Sequence, residues 1–164
     1  MTQTAPTPVP AATTPKPAVV ATKGGDEKPH IPEGINPDLL VSLKRTPCFG
    51  SCPAYSVEIF KDGRVKYNGV GYVKRLGNFT ATASAAFIVD IQKRAESMNY
   101  MKLSDKYPLN HVEIADLPTT ISYIRIGNEG KMIANNFDAP KELVEFERWL
   151  EKQVEGLKWE AVKE

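Results

Sequence analysis

Cys48 and Cys52 are the only cysteines among the 164 residues, and Phe49-Gly50-Ser51 separates them just before Pro53. Gly50 permits a tight bend, which can bring the two Cα atoms to the roughly 5 to 6 Å that a disulfide needs. A ring this small constrains the unfolded chain by only about 2 kcal/mol, so a bridge here would shape a loop more than hold a domain. Kept as thiols, the same pair could be idle, or could act in redox or copper chemistry. Two thiolates with one imidazole can bind a soft ion such as Cu(I), and His111 is the only histidine beyond His30. Asp116, in Asp116-Leu117-Pro118-Thr119, could serve as an acid or base, or could accept backbone N–H bonds at a turn ahead of an edge strand. Glu96, Asp105 and Glu113 have no defined spacing to a partner carboxylate, which places a carboxylate-pair hydrolase last among the readings. No Gly-rich phosphate loop, nucleophile elbow or zinc pattern occurs, and no cofactor is called for.

The elements around these residues separate the alternatives. Leu39 to Thr46 is apolar enough for a strand, and Ala54 to Phe60 alternates with period two. A strand straight after Cys52 favours a disulfide staple. A helix there would favour metal or thiol chemistry, because a helix N-terminus lowers a thiol pKa. The C-x3-C-P string resembles the copper motif of Sco-type chaperones, in which it opens a helix. Lys61-Asp62-Gly63 turns the chain into Arg64 to Tyr67. A two-residue loop would set Ile59 opposite Lys66, whereas a three-residue loop sets Ile59 opposite Val65 and Val57 opposite Tyr67. The apolar pairs predict the three-residue loop with Gly63 left-handed.

Gly71 to Thr80 reads as a further strand, Tyr72 to Arg75, with Gly77-Asn78 as a turn. Ser84 reads as the N-cap of a helix over 85–98. Residues 99–118 are irregular. Thr119 to Ile126 is a strand, Gly127 to Gly130 a turn, and Lys131 to Phe137 its partner strand. Asp138 caps a last helix, with Pro140 in the first turn and Leu143, Phe146, Leu150 and Val154 as its buried stripe. This order predicts an α+β two-layer sandwich, an antiparallel or mixed sheet of about five to six strands with two helices on one face.

Composition divides the chain. Eight of the 13 prolines fall within the first 37 residues, and every aromatic lies between Phe49 and Trp159. Such a leading segment cannot bury enough apolar surface to order itself, so residues 1–36 read as a Thr/Pro/Ala-rich tether and 37–164 as a single domain. Lys plus Arg number 21 and Asp plus Glu 20, a balance that argues against a nucleic-acid partner. No apolar run reaches the length of a membrane span. Met1 to Val20 contains no unbroken apolar stretch of the kind a signal peptide needs.

From about Leu40 to Trp159 the chain resembles an uncharacterised, Bacteroidetes-type domain family of bacterial exported proteins and lipoproteins. The resemblance is carried by Cys48-Phe49-Gly50-Ser51-Cys52-Pro53-Ala54-Tyr55, by Asp62-Gly63 followed by Tyr67, by Asp116-Leu117-Pro118-Thr119, and by Trp159. It implies one compact domain at the periplasm or outer-membrane surface, with a lipid anchor in the precursor; a cytoplasmic home is the alternative. It implies no activity. The expectation is a non-catalytic envelope module that binds a protein or small ligand, with Phe49, Tyr55 and Asp116 as the candidate surface. A thiol-redox or copper-handling protein using Cys48, Cys52 and His111 is the alternative.

Overall fold

A computed structural model describes residues 31–163. β1 (Leu39–Arg45), β2 (Ala54–Phe60), β3 (Arg64–Gly71) and β4 (Gly77–Thr82) follow one another as an antiparallel meander. α1 (Ala85–Ser97) leads to a 3-10 turn (Tyr100–Lys102) and the short β5 (Lys106–Tyr107). β6 (Thr120–Ile126) and β7 (Glu129–Asn135) form a second hairpin, followed by α2 (Lys141–Glu155) and β8 (Glu160–Ala161). All eight strands join one sheet in the order β5-β7-β6-β1-β2-β3-β4-β8, and only the β5–β7 pair is parallel. The α+β class is as expected, but the strand count of five to six is corrected to eight. The two unforeseen strands, β5 and β8, are two residues long and lie at the sheet edges. Two residues are too few to leave an alternation in the sequence.

Both helices pack on one face. Alternate residues of the central strands (Val41 and Leu43, Val57 and Ile59, Ile124) share a core with Ile91 and Ala95 of α1 and with the Leu143, Phe146, Leu150 and Val154 stripe of α2. On the opposite face Tyr123 packs with Leu39, Phe60 and Ile35. The expected tether falls on residues 1–30, outside the described residues, and on 31–36, of which Ile35 joins this second cluster.

The first hairpin has the predicted register, Ile59 opposite Val65 and Val57 opposite Tyr67. Gly63 sits at φ +85°, and a Cβ there would lie 2.9 Å from the Ala83 carbonyl oxygen. Ser84 caps α1, its hydroxyl accepting from the Phe87 N–H at 3.1 Å.

Three other expectations are corrected. Of the strand expected over Gly71 to Thr80, Tyr72 to Arg75 is not a strand and Gly77-Asn78 is not a turn: Tyr72 takes a left-handed φ of 54°, residues 72–76 fold as a loop, and Gly77 and Asn78 open β4. Asp138 does not cap α2. It too is left-handed (φ 59°), and Pro140 occupies the cap position, outside the first turn, with no side-chain cap bond. The second hairpin turns on Gly127 and Asn128 alone, because Glu129 already pairs with Ile126.

Antiparallel pairing gathers four connections at one end of the sheet. Register partners there run Tyr107, Asn135, Thr120, Arg45, Tyr55 and on to Gly69 and Gly77. Beyond this row lie the 46–53 loop, the 72–76 loop, the 108–119 loop and the lead-in to α2.

Candidate functional site

Arg45 ends β1 and faces Tyr55 at the start of β2. The apolar stripe of α2 fixes the rotation of that helix, which brings Glu151 over both. Arg45 Nη1 and the Tyr55 hydroxyl each donate to Glu151 Oε1 at 2.8 Å. Burial, and then the Glu151 charge, push the Tyr55 hydroxyl well above its ordinary pKa, so it stays a donor. The Tyr55 ring stacks on Tyr67 with centroids 5.5 Å apart, and Tyr67 meets Trp159 at 5.3 Å. The Trp159 indole N–H donates to the Val154 carbonyl at 3.1 Å, which ties the end of the chain to the end of α2.

The 72–76 loop forms the opposite wall. It folds back over Gly69, where a Cβ would lie 1.8 Å from the Arg75 carbonyl oxygen and 2.9 Å from the Val73 side chain. Lys74 pairs with Glu155 and holds that carboxyl below its ordinary range. The Arg75 guanidinium lies 5.9 Å from the Trp159 ring centre. Between loop and helix opens a cleft of about 420 Å³. Tyr55, Tyr67, Tyr72 and Trp159 contribute its aromatic lining, and five cations stand around it, Arg45, Lys74, Arg75, Arg148 and Lys152. The two carboxylates that line it, Glu151 and Glu155, are engaged by Arg45 and Lys74. Among the described residues, Arg75, Arg148 and Lys152 form no ion pair. The cleft therefore carries surplus positive charge above an aromatic floor.

On the other side of Arg45 a smaller cleft of about 260 Å³ reaches Glu147, Asn135 and Thr120. Glu147 is 4% exposed. Its Oε2 accepts from Asn135 Nδ2 at 2.8 Å, while its Oε1 and Arg45 Nε have no protein partner. Burial is the main cause that raises the Glu147 carboxyl to about 7, with Glu151 adding to it and the Asn135 bond opposing.

Cys48 and Cys52 are disulfide-bonded with Cα atoms 5.6 Å apart, and β2 begins two residues later, the arrangement expected of a staple. His111 is exposed in the 108–119 loop, and no group of three or more His, Cys, Asp or Glu among the described residues is placed to hold a metal ion. Of the three expected surface residues, Tyr55 lines the larger cleft, while Phe49 and Asp116 stand exposed on neighbouring loops at the same end of the sheet. Those loops are tied together. Thr46 N–H donates to the Thr119 carbonyl at 3.0 Å, and Thr119 N–H donates to Thr46 Oγ1 at 2.8 Å. Asn136 braces the second loop by accepting from Ile114 N–H at 2.8 Å and donating to Thr119 Oγ1 at 3.1 Å.

Arg45, Arg148 and Glu151 escaped the sequence reading. Arg45 and Glu151 lie 106 positions apart, and no local spacing rule joins them. Their one signal is the flank of α2, where Glu147 and Glu151 sit one turn apart beside the apolar stripe. The model of the family described as Domain of unknown function (DUF6438) matches residues 39–154. No curated protein matches the chain.

Proposed function

The chain belongs to the DUF6438 family, and from that premise we propose that this member is a non-catalytic binding module. Its ligand carries an anionic group on a flat apolar body and enters the cleft between α2 and the 72–76 loop. The observation that carries this is the set of cations without an ion pair, Arg75, Arg148 and Lys152, beside the Tyr55–Tyr67–Trp159 floor. Guanidinium groups grip carboxylate and phosphate oxygens in pairs, and aromatic faces take flat or apolar bodies. A binding rather than a reacting role is supported by Glu151, whose carboxylate is spent on holding Arg45 and Tyr55. We further propose a cell-envelope location. The disulfide supports it, because such bonds persist in oxidising compartments.

A ¹H–¹⁵N NMR titration with phenyl phosphate tests the reading, with the Trp159 indole N–H as reporter. Saturable shifts at Trp159 and Tyr55 are expected, weakened about tenfold or more in Arg148→Glu. Equal binding of uncharged phenyl glucoside would overturn the anionic assignment. No shift at Trp159 with either compound would overturn the site.

A further inference from the structure

Among the described residues, eleven large hydrophobic side chains are exposed, and eight of them lie at the end of the sheet that carries the 46–53, 72–76 and 108–119 loops. Scattered exposed apolar residues need no explanation, whereas a cluster marks an interaction surface. Phe49 is the extreme case, 91% exposed at the tip of the disulfide ring. Tyr72 and Leu76 stand on the 72–76 loop, and Leu109, Val112 and Leu117 on the 108–119 loop. The loops are braced rather than loose: the disulfide closes the first, Gly69 seats the second, and Asn136 holds the third. Holding apolar tips rigidly in water is unfavourable unless something covers them.

Charge and shape select the cover. Arg75, which forms no ion pair, shares its loop with Tyr72 and Leu76, while Lys74 is paired with Glu155; the cleft with its surplus cations opens beside them. Glu113, in the 108–119 loop, is neutralised by Lys106 at 3.0 Å, which leaves Asp116 as that loop's carboxylate without an ion pair. Apolar tips backed by cations match a layer with an anionic surface and an apolar interior. The tips also stand on three separate loops. A fluid layer closes around each one, whereas a folded partner would need a matching hollow for every tip.

We propose that this end of the domain docks on an anionic lipid surface, with Phe49, Leu109 and Val112 entering the acyl boundary while the cleft beside them receives a lipid phosphate. The second half rests on the anion-binding reading of the cleft; the first half does not. Co-sedimentation of the full chain with vesicles tests it, using phosphatidylcholine alone and phosphatidylcholine mixed with phosphatidylglycerol. The protein should sediment with the mixed vesicles and much less with the neutral ones. The triple variant Phe49→Ser, Leu109→Ser, Val112→Ser alters only exposed positions, adds no charge and leaves the 72–76 loop intact. It should lose sedimentation by about tenfold or more while its circular dichroism and its phenyl phosphate titration match the wild type. Phenyl phosphate binding without vesicle binding would overturn the docking and leave the cleft reading standing. Vesicle binding indifferent to the triple variant would overturn insertion. A dimer in light scattering that the triple variant dissociates, with no vesicle binding, would show that a second copy covers this end instead.

Discussion

Glu147 is a carboxyl held away from water, 4% exposed and with one oxygen lacking a protein partner. A carboxyl that titrates near 7 in the fold binds its proton more tightly there than in the unfolded chain. Its contribution to stability is therefore complete below its ordinary value near 4.5 and is lost as pH rises toward 7 and beyond. The shift corresponds to roughly 3 kcal/mol at about 1.36 kcal/mol per pH unit. Glu147→Gln removes the titration and can keep the Asn135 bond, so this variant should match the wild type near pH 4 and exceed it in stability near pH 8. Urea melts of both proteins across that range check the point, and a stability difference that stays flat with pH would refute it. The same residue shows where the sequence falls silent. Glu147 sits at a polar position flanking an apolar stripe, and from the sequence alone it is indistinguishable from the exposed Glu145 two residues earlier. Only the packing of α2 against Asn135 separates them.

At the scale of elements, two glycines show how a connection can be fixed by what it must avoid. Gly63 was legible, because its hairpin has only one register that buries Val57, Ile59, Val65 and Tyr67 together. Gly63→Ala should cost about 1 kcal/mol or more in stability, since φ is positive and the Ala83 carbonyl blocks the new methyl. Thermal melts would reveal it. Gly69 was not legible, and the strand expected over Tyr72 to Arg75 is the consequence: that run alternates acceptably and conceals its turn. The reason it loops lies in the space above Gly69, a tertiary fact. Gly69→Ala should push the 72–76 loop outward and open the cleft, weakening phenyl phosphate binding by more than it lowers the melting temperature would suggest. A loss of affinity no larger than that of an unrelated variant of equal stability would show that the loop does not form the site. The disulfide belongs to this scale as well. Cys48→Ser with Cys52→Ser should still fold, since the five-residue ring is worth about 2 kcal/mol, with the loss confined to order in residues 46–53. Failure of the double variant to fold would make the ring a core support.

For the molecule as a whole, the class and the order of elements were readable because β1, β2, β3, β7 and both helices bury a periodic face and β6 is rich in β-formers, whereas β4 buries no residue fully. The cleft beside Trp159 was not, because it is assembled from β1, β2, β3, the 72–76 loop, α2 and Trp159, and only pairing brings these together. The family match stops at residue 154, short of Trp159 and β8. Those last residues nevertheless shield β4: Phe79 and Thr80 pair with Ala161 and Glu160, and the Val162 N–H donates to the Asn78 carbonyl at 3.0 Å. Without them, Gly77–Thr82 would present an uncharged row of open backbone groups, the kind of template on which a second chain can stack. The final few residues thus act on shelf life. Removing residues 160–164 should leave the melting temperature within a few degrees, yet make the protein scatter light within hours at concentrations where the intact chain stays clear. Equal clarity of the two solutions would mean that β4 needs no such guard.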